Sequence, residues 1–249
     1  MHHPTTRSAL APCLLAATTA LAAGSTQAQA QRCEARSGER PPAVVELYTS
    51  EGCSSCPPAD RWLSTLKAQE RVIALSFHVN YWNHLGWADP FATAETTARQ
   101  YRLKEALGGR YVYTPQVVLN GRDHRGWHGQ AADDLAALPA PAPALRVVRH
   151  GQGLSAEVSA HGAAGTRLAG YWAVLQDGVV NRVTRGENAG SDLRHDHVVS
   201  LYRPVPAWSG AQAHTTHISL PLNSPHRVVF VVTDETLTRP LQAVVLRCG

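Results

Sequence analysis

The run Pro139-Ala140-Pro141-Ala142-Pro143 divides the chain into two stretches of different character. Alternating Pro and Ala favours an extended, stiff spacer and admits neither helix nor ladder strand. Ahead of it the pattern alternates. Residues 43–49 (AVVELYT) are apolar and β-prone, and residues 57–68 open on Pro with Asp60 in the first turn and Trp62, Leu63 and Leu66 at helical spacing. Residues 72–79 form a second apolar run, residues 93–107 read as a helix stopped by Gly108-Gly109, and residues 116–120 as a strand turning toward a short partner at 124–127. An amphipathic helix is expected over 130–138. Behind the spacer come eight short strand candidates between residues 145 and 247, separated by Gly, Asn and Pro turns, which predict a sandwich. The expectation is an α/β domain over 31–138, a linker over 139–144 and an all-β, sandwich-like domain over 145–249.

The first 30 residues are excluded from that fold. Arg7 is their one formal charge, a 15-residue small and apolar stretch covers 9–23, and Ala28-Gln29-Ala30 is an A-x-A cleavage pattern. These are the three regions of a secretory signal, so the mature chain is expected in the periplasm or outside the cell. The apolar stretch is short of the ~20 residues that span a bilayer, and no other segment is long enough, so no stable span is expected once the signal is gone. The net charge of +4 is spread along the chain without a basic run, which gives no reason to expect nucleic acid.

Removing the signal takes Cys13 with it and leaves Cys33, Cys53, Cys56 and Cys248. An even count in an oxidising compartment points to disulfides. Two residues separate Cys53 from Cys56, which makes them natural partners. Cys33 and Cys248 then remain, near the two ends of the mature chain, and a bond between them is expected to clamp ends that commonly lie close together.

Cys53-Ser54-Ser55-Cys56 stands between an expected strand and an expected helix. A thiol attacks as thiolate, and the positive end of a helix favours that anion. Cys53 is thus the candidate nucleophile and Cys56 the resolver of a mixed disulfide. A C-x-x-C alone also resembles half a zinc site. Thr114-Pro115, an X-Pro bond directly before an apolar strand, is a candidate cis peptide. It resembles the Thr-Pro of the thioredoxin fold that packs beside the redox pair and meets the substrate backbone.

The string from Glu46 to Asp60 (ELYTSEGCSSCPPAD), with His78-Val79-Asn80-Tyr81-Trp82-Asn83, Leu85-Gly86-Trp87, Asp89-Pro90-Phe91, Tyr113-Thr114-Pro115-Gln116, Gly186-Glu187-Asn188-Ala189-Gly190 and Leu193-Arg194-His195, resembles one bacterial family. It is the secreted family named domain of unknown function 1223, with a thioredoxin-like N-terminal region. The resemblance spans nearly the whole mature chain and implies a thioredoxin-like α/β domain ahead of the β domain. Asn80 and Asn83 depart from the Asp associated with that family, which weakens a carboxylate proton carrier at those two places.

The leading expectation is thiol-disulfide exchange on exported protein thiols or disulfides, with a redox partner protein, through Cys53, Cys56 and Pro115. Thr114, His78, Trp82 and Trp87 are candidates for groove contact or for tuning the thiol. Against this, Trp82 and Trp87 could simply anchor the aromatic loop 80–90, and His78 could be structural. One alternative is copper binding or delivery by Cys53, Cys56 and His78; another is a non-catalytic binding module whose Cys53–Cys56 bond is structural. His195 and His197, at strand spacing, could join His214 or His217 around Cu or Zn, although scattered surface histidine is the simpler reading. Glu187-Asn188 reads as a turn or an interface.

Overall fold

The computed structural model describes residues 1–3, 33–67, 69, 71–220 and 227–248. The expected signal segment and its cleavage point fall almost wholly on residues 4–32, outside the described ones. Fourteen strands and two α-helices are present among the described residues, in three sheets.

Strands β2 (Ala43–Thr49) and β3 (Val72–His78) are buried along their whole length, which explains their near-continuous apolar runs. They pair in parallel from Ala43 against Val72 to Thr49 against His78. Alternate residues serve opposite faces. Val44 and Tyr48 join Ile73, Leu75 and Phe77 on one face, whereas Ala43, Val45 and Leu47 pack with Ala59, Trp62 and Leu63 on the other. The latter three belong to helix α1 (Pro57–Thr65), whose Pro57 and Pro58 occupy first-turn positions where no N–H is required. Helix α2 (Ala94–Ala106) lies on the opposite side. Its Thr93–Thr96 capping box closes the N-terminus, and Thr96 Oγ1 also donates to His78 O at 2.7 Å, tying the helix start to the end of β3. Strand β4 (Gln116–Leu119) extends the sheet antiparallel to β2, and β5 (Arg122–Asp123) follows antiparallel to β4.

Residues of the second stretch continue this same sheet. Strand β11 (Val198–Ser209) enters parallel to β3 at Val198 against Ser76, with Ser76 N–H donating to His197 O at 2.8 Å. Beyond it come β8 (Arg167–Gln176), β13 (Arg227–Asp234) and β14 (Pro240–Arg247). The resulting eight-stranded order is β14-β13-β8-β11-β3-β2-β4-β5. Strands β1 (Cys33–Arg36), β6 (Leu145–His150), β7 (Gly153–Val158) and β12 (His214–Ser219) make a four-stranded sheet. Leu145, Val147, Leu154 and Ala156 from that sheet share a core with Trp172, Phe230 and Leu246 of the larger one. Strands β9 (Val179–Arg182) and β10 (Asp192–His195) form a separate ribbon.

The expected α/β thioredoxin-like domain followed by an all-β domain is corrected by this topology. Among the described residues strand far outweighs helix, and the largest sheet draws strands from both sides of the Pro/Ala segment. Gln31–Gly249 form one compact unit. The β3–β11 junction joins residues more than a hundred positions apart, and local apolar periodicity carries no information on such a pairing. The helix expected over 130–138 is also corrected. Only a 3₁₀ turn, Ala132–Asp134, forms there, and the carbonyl of Ala136 is taken by Asn120 Nδ2 while Leu138 N–H donates to Pro42 O. Cys33 is bonded to Cys248 and Cys53 to Cys56, the pairing expected of the four cysteines. No helix among the described residues is long and apolar enough to cross a membrane.

Candidate functional site

The Cys53–Cys56 bond sits where β2 gives way to α1. Cys56 is the helix N-cap, and its N–H donates to Cys53 O at 3.2 Å, closing a tight turn. Pro57 and Pro58 carry no N–H, so the helix start offers fewer backbone donors to an anion than most. A hydroxyl is available instead: Ser55 Oγ lies 3.4 Å from Cys53 Sγ. Both cysteines have 0% exposure, while Ser54 and Ser55 reach solvent.

The aromatic loop packs on this turn. A Cβ on Gly52 would meet Trp82 Cβ at 3.0 Å, so glycine lets the indole lie against the backbone. Trp82 Nε1 donates to Thr114 Oγ1 at 2.8 Å, and the Thr114–Pro115 bond is cis. Trp87 Nε1 donates to Glu51 Oε2 at 2.8 Å. Trp82 and Trp87, two of the candidate groove residues, thus bind the turn to its surroundings from opposite ends of the loop. Beside the turn opens a cavity of about 360 Å³, lined by Ser55, Pro58, Tyr113, Pro115, His124 and Trp127 among others.

Behind the disulfide lies a buried polar cluster that sequence reasoning did not assemble. Glu51 is wholly buried and its carboxylate accepts from Trp87, from Asn181 Nδ2 at 2.9 Å and from His195 Nε2 at 3.2 Å. His78 Nδ1 donates to Asp89 Oδ2 at 2.7 Å, and the same oxygen accepts Glu51 N–H at 2.8 Å. The rings of His78 and His195 meet edge to face, 4.8 Å between centroids. Asp60 accepts from Thr49 Oγ1 at 3.2 Å, and its other oxygen is 3.9 Å from His195 Nδ1. Asp60 lies four positions after Cys56, so both lie on one face of the helix, with the Asp60 side chain leaning back over the Cys56 turn. His78 Nε2 and His195 Nδ1 are buried without a hydrogen-bond partner.

Burial and charge act differently across this cluster. Burial pushes the Asp60 carboxyl upward, with His195 opposing it only in part. Burial alone would also raise Asp89, but His78 and two backbone N–H groups outweigh it and hold that carboxyl low. Burial disfavours the His78 imidazolium, yet the Asp89 charge and hydrogen bond prevail and raise its pKa. The site therefore holds a hydrogen-bonded His78–Asp89 pair biased toward its charged form beside a carboxyl biased toward its neutral form.

The second stretch closes the site. Asn188 is buried, and its Nδ2 donates to Glu51 O at 2.8 Å and to Cys53 O at 3.0 Å. Glu187 Oε2 accepts Ser54 N–H at 3.0 Å, and this contact holds the Glu187 carboxyl below its ordinary range. The available sequence signal was the quoted Gly186–Gly190 and Leu193–His195 strings, whose role became visible only in three dimensions. Asn80 and Asn83 serve as local structural groups, Asn80 exchanging hydrogen bonds with Thr97 and Asn83 accepting from Asp89 N–H, so the site's carboxylates come from Glu51, Asp60 and Asp89. The histidine quartet is not assembled. His195 joins the buried cluster, His197 contacts Arg227 on the other side of Asp196, and His214 stacks on Trp208. Among the described residues no group of three or more His, Cys, Asp or Glu is disposed to hold a metal ion.

No curated protein matches the chain significantly. Among solved structures, protein AGR_C_4864 from Agrobacterium tumefaciens is similar at 28% identity, with a TM-score of 0.66 over 84% of this chain and 96% of that one. HBP35 of Porphyromonas gingivalis shares the fold at 15% identity, with a TM-score of 0.54 over 84% of this chain and 75% of that one. Residues 44–233, more than half of the chain, match the family described as protein of unknown function (DUF1223), and the chain belongs to that family.

Proposed function

We propose that this protein is an exported thiol-disulfide exchange protein acting through Cys53 and Cys56 on protein thiols or disulfides. The observation that carries this reading is the placement of the Cys53–Cys56 bond at the head of α1, with the Ser55 hydroxyl on Cys53 Sγ and the cavity edged by cis-Pro115 beside it. Cys53 is the attacked and attacking sulfur. Cys56 leaves or resolves, and Asp60, one helical turn on, is a buried carboxyl whose pKa burial raises, which makes it the candidate proton carrier for that sulfur. Exchange on exported proteins also fits the signal-like leader and the second disulfide between chain ends.

Full burial of both sulfurs favours a second reading, in which this bond is purely structural. Two measurements decide between them. Exchange predicts a reduction potential above about −300 mV in glutathione or dithiothreitol buffers and mixed-disulfide adducts captured by Cys56→Ser in cells. A lower potential with an empty trap means a structural bond.

A further inference from the structure

Thiol-disulfide exchange requires a sulfur to approach the bond along its axis, and a bond with no exposed surface is closed to that approach. Residues 183–191, which connect β9 to β10, hold the disulfide turn from one side, and Trp82 of the aromatic loop lies against it at Gly52. The strands of this ribbon pair with neither large sheet but are tied to the buried Glu51 carboxylate by Asn181 and His195, so the movable part is the connecting tip. Its tip is internally organised, with Gly190 N–H donating to Val183 O and Ser191 N–H to Asn188 O, so it can move as a piece. Three hydrogen bonds join that tip to the disulfide turn: two from the single Asn188 amide, to the carbonyls of Glu51 and Cys53, and one from Ser54 N–H to Glu187.

We propose that residues 183–191, the tip of the β9–β10 ribbon, are a gate over the Cys53–Cys56 disulfide, latched by Glu187 and Asn188, and that partner thiols reach Cys53 only when it lifts. The inference rests on the exchange reading. With the gate open, a dithiol partner's thiolate attacks Cys53 Sγ. The Cys53–Cys56 bond breaks, Cys56 leaves with the electron pair and takes a proton, and a mixed disulfide joins Cys53 to the partner. The partner's second thiolate then attacks its own half of that bond, and Cys53 leaves and is protonated. The partner dithiol is oxidised to a disulfide, and the pair gains its two electrons and two protons. Glu187 and Asn188 are positioning residues in this scheme. They hold the turn without touching the reacting sulfurs.

The test uses the oxidised full chain and dithiothreitol, with timed iodoacetamide quenching and peptide mass mapping of both disulfides. Asn188→Asp keeps the side chain's shape but removes both donations, and Glu187→Gln weakens the third contact. Losing the two Asn188 hydrogen bonds should accelerate Cys53–Cys56 reduction about tenfold or more. Cys33–Cys248, remote from the latch, is the internal reference and should keep its wild-type rate. An unchanged Cys53–Cys56 rate overturns the gate, as does equal acceleration of both bonds, which would signify general loosening. Because the reductant is a small molecule, this result is independent of whether the Cys56→Ser trap captures proteins, so failure of the exchange reading and failure of the gate are told apart.

Discussion

Replacing Cys33 and Cys248 together by serine removes a crosslink that closes 215 residues of sequence. In the chain-entropy treatment, freeing a loop of that size returns about 18 cal/mol/K to the unfolded ensemble, about 5 kcal/mol at 25 °C. Unfolding entropy near ~2.1 cal/mol/K per residue converts this to a fall in Tm of about 11 °C for a chain of this length. The native state gives little of this back. Both cysteines are only partly buried against the core between the two larger sheets, so serine costs modest packing. Thermal and urea unfolding of the oxidised double variant beside wild type is the assay, with Cys53–Cys56 intact in both. A loss below about 1 kcal/mol would refute the reasoning. It would mean that β1, paired with β6 from Cys33 to Arg36, already holds the amino end in the unfolded ensemble's most compact members or that the bond is strained by as much as it gains.

Three further outcomes follow from the buried polar groups. Ser55→Ala should move the pH profile of iodoacetamide alkylation of Cys53 in the reduced protein toward higher pH, as one hydrogen bond to the thiolate is lost; an unmoved profile excludes Ser55 as a donor. Arg99 is buried on Glu46 and lies 4.2 Å from the Tyr171 ring centre, so Arg99→Met should cost about 3–5 kcal/mol in urea by stranding Glu46. The double variant with Glu46→Gln should lose less than the single; an equal or larger loss would place the stabilisation in ring packing rather than charge. Burial, with Arg227 nearby, lowers the His197 pKa to about 4 from an unfolded value near 6.5, so between those limits the unfolded chain binds the extra proton and stability falls as pH falls, by up to about 1.4 kcal/mol per unit. His197→Asn, which tolerates the local φ of 61°, should flatten that acid limb of a stability-pH curve, and an unchanged limb would assign it to other groups.

Much of the local structure was legible in order of residues alone. Residues 43–49 and 72–78 are strands because apolar β-prone runs buried on two faces tolerate no other arrangement, and α1 starts at Pro57 because proline suits a first turn. Cys53 and Cys56, three positions apart, are natural partners, and setting Cys13 aside with the expected signal leaves Cys33 and Cys248 as the second pair. Asp60 could be read as a first-turn acid but not as a buried carboxyl, since burial depends on what covers the helix start.

What only the tertiary structure decided is how the two stretches meet. Val198 beside Ser76 turns two expected domains into one sheet, and Glu187, Asn188 and His195 close on a turn whose residues lie more than 130 positions earlier. Secondary structure follows from short-range sterics and periodicity, which a sequence displays. A partnership at long range depends on which edges and polar groups remain unsatisfied once the chain has folded back, and that is a property of the assembled surfaces. The cysteine pair was therefore written in the sequence, whereas its burial, its acid-histidine surroundings and its cover were determined by the fold.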